Sequence, residues 1–225
     1  MSKERAMKQF EDDRIQAVRI AARLLLASCT TSPRVGGVGE CTTHILDDEC
    51  VIEDLCQKIE AMAEEKESWE FFKRDAAMLR DADAVLVVTS LRSLTDPSDI
   101  SCNMCGYMTC DYMREVKKFE KGPGVAFTGP LCSFRATNVA YAIGGIVNQA
   151  RTLGIDYGIY WSAGAAAMRM NILPRDTGFA LAVGISVTEK SPFRDIPLRY
   201  SEINDRTMND RIIRRLWPQF RSIYS

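Results

Sequence analysis

Three cysteines fall within nine residues, at Cys102, Cys105 and Cys110, in the spacing C-x2-C-x4-C, and Cys132 follows after a gap of 21 residues. A run this dense lets several sulfurs face one point. Four converging thiolates are the donor set of an iron–sulfur cluster or of a structural zinc. Gly106, directly after the second thiol, allows a tight turn there and keeps a side chain away from the metal. Amide N–H groups of such a loop can point at sulfur and offset the negative charge of a cluster. Cys102, Cys105, Cys110 and Cys132 are therefore the candidate metal ligands, and Tyr107, Phe127 and Phe134 are candidates for an apolar shield.

The spacing also ranks the alternatives. Structural zinc sites usually present two C-x2-C-type pairs. This chain has one such pair and a third thiol four residues further on, which favours a [4Fe-4S] cluster over zinc. A metal-free redox C-x-x-C sits at the start of a helix. Ser101 could cap one here, but that reading leaves Cys110 and Cys132 without a role. Four buried thiols with no common role is the plainest alternative. Cys29, Cys41, Cys50 and Cys56 are scattered and read as small buried hydrophobes.

Charge and hydropathy narrow the setting. With 29 basic and 30 acidic side chains there is no basic excess to recruit a nucleic acid. No apolar run approaches the roughly 18 residues of a membrane span, and the first residues, Met1 to Arg5, are charged rather than signal-like. The chain reads as cytoplasmic, with no nucleic-acid or membrane partner. Structural disulfides are rare in a reducing cytosol, so clustered thiols there point to metal or redox chemistry.

Periodicity predicts a helix over 12–28, with Ile15, Val18, Ala22, Leu25 and Leu26 on one face. Pro33 and the glycines at 36, 37 and 39 end it in a loop. A short strand over 42–46 and helices over 49–66 and 68–82 follow. The valine-rich run at 84–89 reads as a strand buried on both faces. Beyond the thiols, the pattern predicts a short strand at 125–127, a small-residue helix over 137–153 and a strand over 157–161. A helix over 163–170, a strand over 179–187 and a basic amphipathic tail helix near 206–222 complete it. In that tail Ile212, Ile213, Leu216 and Trp217 stand beside Arg211, Arg214 and Arg215, an arm for a partner subunit or for its own core. The fold class is α+β (α/β-like). One domain spans 1–225, and an irregular cysteine-rich insert occupies about 95–133, too irregular for a compact core without a metal staple.

Four other features have plainer readings. His44 is the only histidine, and within a strand it reads as structural. The glycines of Gly36 to Gly39 precede a strand rather than open a helix, so they meet neither phosphate-loop geometry. Asp47, Asp48 and Glu49 read as a turn and helix cap. Tyr157, Tyr160 and Trp161 read as core aromatics, although such rings also stack on flavins.

The order of motifs resembles a family of uncharacterised prokaryotic proteins with a ferredoxin domain. The likeness runs through Ala22 to Gly37, Ala84 to Thr89, Cys102 to Cys110, Cys132-Ser133-Phe134, Ala140 to Ala150, Trp161 to Ala166 and Gly184 to Asp195. It departs at Asn138, where the family tends to carry aspartate, and at Asp156-Tyr157-Gly158, where it tends to carry Asp-Asn-Arg. The same order is similar to the flavin-dependent nitroreductase fold, with a central sheet flanked by helices. Thr31 to Gly36 stands where the flavin loop of that fold would be, and Arg151-Thr152-Leu153-Gly154 where its small-residue helix would end. Gly184-Ile185-Ser186 departs from the Gly-x-Pro of that fold, and its N-terminal Arg-x-Ser phosphate motif is missing.

This second resemblance implies FMN as a further cofactor, held between two subunits of an intertwined homodimer. Ser32, Pro33, Arg34, Lys190 and Arg194 would be its contacts. In place of the missing motif, the charged groups of Arg34, Lys190 and Arg194 are candidates to grip its phosphate. Two functions follow. One is an oxidoreductase passing electrons between a [4Fe-4S] cluster and a flavin or a redox protein partner. The other is a non-enzymatic sensor or scaffold in which a cluster or zinc only staples the insert.

Overall fold

The computed structural model describes residues 3–37, 41–91, 100–116, 122–175 and 177–194. Its helices are α1 (Lys3–Thr31), α2 (Glu49–Ala63), α3 (Phe72–Arg80), α4 (Cys110–Glu115), α5 (Ser133–Leu153) and α6 (Trp161–Arg169). Its strands are β1 (Cys41–Leu46), β2 (Ala84–Leu91), β3 (Asp156–Tyr160) and β4 (Thr177–Ser186). The strands form one sheet in the order β1-β2-β4-β3, and every neighbouring pair is antiparallel.

The two-sided apolar character of β2 decides the layering. Side chains alternate across a strand, so Val85 and Val87 face one way and Ala84, Leu86 and Val88 the other. All five are fully buried. Val85 and Val87 pack with Leu55, Ile59 and Met62 of α2, Phe72 and Leu79 of α3, and Ala163, Ala166 and Ala167 of α6. Leu86 and Val88 pack with Val18, Ala22 and Leu25 of α1 and Val139, Ala142 and Ile146 of α5. The sheet is thus sandwiched between two helical layers. Burying one such branched side chain contributes about 2 kcal/mol.

Small residues let the layers approach closely. A Cβ added at Gly164 in α6 would fall 2.9 Å from the Leu181 Cα of β4, so α6 lies directly on the sheet backbone. One added at Gly145 in α5 would fall 2.8 Å from the Ser28 carbonyl of α1. Gly145 and Gly164 therefore serve backbone contact.

Several boundaries differ from the sequence expectation. The first helix begins at Lys3 rather than near residue 12. A 3-10 turn at Glu67–Trp69 precedes α3, and Trp161 opens a helix instead of closing a strand. Val125 to Phe127 is no strand: a turn built on Gly122 and Gly124 takes its place. Helix α4 was not foreseen. The tail helix expected near 206–222 lies outside the described residues.

Other expectations hold. Asp48 caps α2, its carboxylate accepting from Cys50 N at 2.8 Å and Val51 N at 3.4 Å. His44 lies within β1, where burial lowers its pKa. Tyr160 and Trp161 belong to the core: Trp161 packs against Trp69, Phe71 and Phe72. Cys29 and Cys56 are buried, and burial raises both thiols, Cys56 to about 12. Cys50 departs from the expected buried thiol, because it lies exposed at the start of α2. Among the described residues no helix is long and apolar enough to cross a membrane.

Candidate metal centre

Cys102, Cys105, Cys110 and Cys132 line one small pocket, together with Ser101, Asn103, Tyr107, Thr109, Met113 and Ser133. Two kinds of local structure deliver them. Cys102 and Cys105 lie in an irregular loop, in which Ser101 (φ 46°), Asn103 (φ 62°) and Gly106 (φ 84°) all take left-handed backbone. The Asn103 side-chain amide donates to the carbonyls of Tyr107 at 3.1 Å and Met108 at 2.9 Å. Gly106 N donates to Asn103 O at 2.9 Å. These bonds fold the loop back on itself around its two thiols. Asn tolerates left-handed backbone and bonds its own loop, so Asn103 shapes the turn as much as Gly106 does. A Cβ at Gly106 would meet nothing within 4 Å, so its need for glycine is conformational rather than steric.

Helix ends deliver the other two thiols. Cys110 is the first residue of α4, whose cap is Thr109: its hydroxyl accepts from Tyr112 N at 3.1 Å. Cys132 stands at the N-cap of α5, where its carbonyl accepts from Ala136 N at 3.1 Å. The Cys132 side chain makes no cap bond of its own, and the first turn of α5 begins at the end that carries Cys132. Free N–H groups at a helix start favour a negatively charged sulfur.

Among the described residues no group of three or more His, Cys, Asp or Glu side chains is arranged to hold a single metal ion. A cluster differs from a single ion in its demand on the protein, because each of its irons takes its own thiolate. No helix begins at Ser101, and Cys102 to Cys105 form a turn, which removes the helix-start geometry of a metal-free redox C-x-x-C. Of the three candidate shield rings, Tyr107 lines the pocket. Phe127 turns to Phe179 and Trp161 instead, at ring distances of 4.9 and 6.2 Å.

The candidate flavin contacts divide into two places. The loop of Ser32, Pro33 and Arg34 follows α1, and Val35 N donates to the buried Asn138 Oδ1 of α5 at 2.7 Å. Asn138 lies six residues along α5 from Cys132, about 9 Å of helix. Arg34 donates to the carbonyls of Ser32 at 2.8 Å and Cys29 at 3.1 Å, tying down its own loop, and Ser32 Oγ donates to Ser28 O at 2.7 Å. Arg34 also acts electrostatically on Cys41, which pairs with Ser90 at one end of the sheet.

Lys190 and Arg194 follow β4 past Ser186, which pairs with Asp156 at the other end. Thr188 Oγ1 donates to Lys190 O at 2.7 Å, and Arg194 Nη2 lies 3.4 Å from Asp156 Oδ1. Within one chain, then, Arg34 stands at the same sheet end as α5's thiol, and Lys190 and Arg194 at the opposite end.

Sequence reasoning missed one set of anchors. Glu65, after α2, and Arg169, closing α6, hold the turn at Gly122 to Val125 in the run leading to Cys132. These residues are 104 positions apart, and nothing local in the sequence pairs them.

Comparison with known proteins places this architecture. A solved nitroreductase with bound FMN from Desulfitobacterium hafniense covers 80% of this chain and 84% of its own, at TM-score 0.50 and 11% identity. A nitroreductase family protein from Clostridium novyi covers 79% of this chain and 78% of its own, at TM-score 0.46 and 12% identity. The fold is nitroreductase-like. An uncharacterized protein of Archaeoglobus fulgidus is 31% identical over 185 residues, 82% of this chain and 95% of that protein. A family profile described as "Uncharacterized protein containing a ferredoxin domain (DUF2148)" matches residues 128–195, which hold Cys132, α5, β3, α6 and β4. With a relative this similar along nearly its whole length, the chain belongs to that family of ferredoxin-domain proteins.

Proposed function

We propose that the chain is an iron–sulfur redox protein in which Cys102, Cys105, Cys110 and Cys132 hold a [4Fe-4S] cluster. The observation that carries this reading is that all four cysteines line one small pocket, although Cys132 comes from a different element than the other three. When bound, such a cluster supplies single electrons at a potential set by its surroundings. The protein's part is to hold the thiolates, turn N–H groups towards sulfur and limit water with Tyr107 and Met113.

The electron partner in this proposal is an FMN, or a redox protein, at the sheet end shared by the Arg34 loop and Cys132. The ferredoxin-domain family supports the cluster, and FMN in the D. hafniense nitroreductase, which has a similar fold, supports the flavin. One flavin touching both Arg34 and the Lys190–Arg194 segment takes them from two protomers, because the segments lie at opposite sheet ends. A homodimer is therefore part of the proposal, as is a cytoplasmic setting.

Anaerobic reconstitution with iron and sulfide, followed by metal, flavin and visible-absorbance analysis, tests it. The expected product is brown and holds about four irons per chain. A colourless, iron-free product after reconstitution contradicts the reading. Cys105→Ser separates a redox role from a mere staple. A redox role predicts lost electron transfer with flavin still bound, and a staple role predicts disorder of the insert with no turnover to lose.

A further inference from the structure

The three thiols of the 102–110 segment and the lone thiol of α5 belong to different parts of the chain, so something must fix one against the other. Cys132 is set by α5, which packs along α1 and the sheet. The bonds of Asn103, Gly106 and Thr109 shape the other segment from within. Past α4, the described chain resumes at Gly122, where it meets a buried ionic pair. Arg169 Nη2 donates to the carbonyls of Gly122 at 2.8 Å and Val125 at 2.6 Å, and Nη1 donates to Glu65 Oε1 at 2.5 Å. The second carboxylate oxygen of Glu65 accepts from Gly124 N at 2.7 Å.

Three charge-assisted bonds thus close on one four-residue turn, and a fourth joins the two residues that make them. The Arg169 side chain is 8% exposed and its guanidinium lies 5.8 Å from the Trp69 ring centre. Gly124 takes φ 75°, where a side chain would be strained and would press on Lys66. Burial alone would raise the Glu65 carboxyl, but Arg169 and the Gly124 N–H outweigh it and hold it below the usual carboxylate range. Helix α6 reinforces the hold from its other end, since Trp161 packs on Phe127.

We infer that Glu65 and Arg169 are positioning residues for the metal centre. They anchor the turn at Gly122 to Val125, in the stretch of chain between the three-thiol segment and Cys132, so that Cys102, Cys105 and Cys110 meet Cys132. This inference rests on the proposed four-thiol site and names what assembles it. A buried ion pair is a weak source of net stability, but here both terminal nitrogens of Arg169 and both carboxylate oxygens of Glu65 are engaged, which constrains the geometry of the turn. Arginine suits the task because its planar fork reaches two carbonyls and a carboxylate at once.

The test measures thiol proximity in the metal-free full chain, independently of any turnover. Diamide accepts two electrons and two protons as two thiols join, and mass spectrometry then maps the disulfides. In the wild type, Cys132 should cross-link to a thiol of the 102–110 segment, and Cys102 to Cys105. Arg169→Met should slow the Cys132 cross-link at least tenfold and leave the Cys102–Cys105 rate unchanged. Glu65→Gln with Arg169→Met removes both buried charges, so it keeps the fold by circular dichroism, and it should show the same selective loss. After reconstitution, both variants should hold less iron than wild type.

An unchanged Cys132 rate overturns the inference. An equal slowing of both cross-links, with loss of the circular dichroism signal, also overturns it, because the pair would then be merely structural. If the wild type forms no Cys132 cross-link at all, the four-thiol site itself fails.

Discussion

The sheet with its two helical layers and the thiol segment are held by different forces. Around β2 the backbone is paired on both edges and the side chains are buried on both faces. Between 100 and 116, Met113 is the buried large side chain, and Ile100, Met104, Met108 and Tyr112 are each more than half exposed. Hydrophobic burial of about 25 cal/mol per Å² sustains the first region. Loop hydrogen bonds, one six-residue helix and the pocket of thiols shape the second. The layers are held by their own burial, whereas under the proposal the thiol segment would gain its rigidity from a metal tying four sulfurs together.

The largest effect should come from removing that tie. Cys105→Ser, or chelation of the reconstituted protein, should bring amide exchange across 100–116 close to the rate of an unstructured chain. Amides of β2 and β4 should keep their protection. Hydrogen-exchange mass spectrometry reads both at once, and equal loss in both regions would break the contrast.

Next comes pH, acting on the layers alone. Asp75 of α3 is half-buried, and desolvation of its carboxyl pushes it up to about 7, against the opposing hydrogen bond from Ser162 Oγ at 2.6 Å and the charge of Arg74. Its ordinary value is 3.8, so the stability linked to its proton is full below about pH 4 and is lost as pH rises towards 7. A shift of this size corresponds to roughly 4 kcal/mol. Asp75→Asn should flatten the dependence of urea-unfolding stability between pH 4 and 7. A wild-type slope retained in the variant would place the titration elsewhere.

How much of this was legible in the sequence follows from what each element depends on. The run at 84–89 announced itself because a strand covered on both faces must be apolar throughout, and β2 extends it only to Leu91. The thiol spacing was local and so visible, as was the Asp48 cap. Helix α4 escaped because six residues cannot show a period, although the Thr109-to-Tyr112 cap was there to find. The strand expected at 125–127 failed because Arg169 takes the Val125 carbonyl and Phe127 packs singly against Phe179 and Trp161. The separation of Arg34 from Lys190 and Arg194 depends on strand order, which no local pattern records. Glu65 and Arg169 meet across 104 positions for the same reason.

Two smaller effects sharpen the comparison from either side. Leu86→Ala, in the buried centre of β2, should cost about 3 kcal/mol in urea unfolding. Iron content measured well below the transition should stay unchanged. Thr109→Ala removes the α4 cap and should cost about 1 kcal/mol, confined to the thiol segment. It should appear as faster amide exchange at Tyr112, with no shift of the global transition.

Above all, the proposal requires that four thiols from two separate stretches of chain share one [4Fe-4S] cluster. Native mass spectrometry of the anaerobically reconstituted chain tests it most directly. The predicted mass gain is that of about four irons with about four sulfides, abolished when Cys132 is replaced by serine together with Cys105. A gain of one zinc, or a mass equal to that of the bare polypeptide, contradicts the claim.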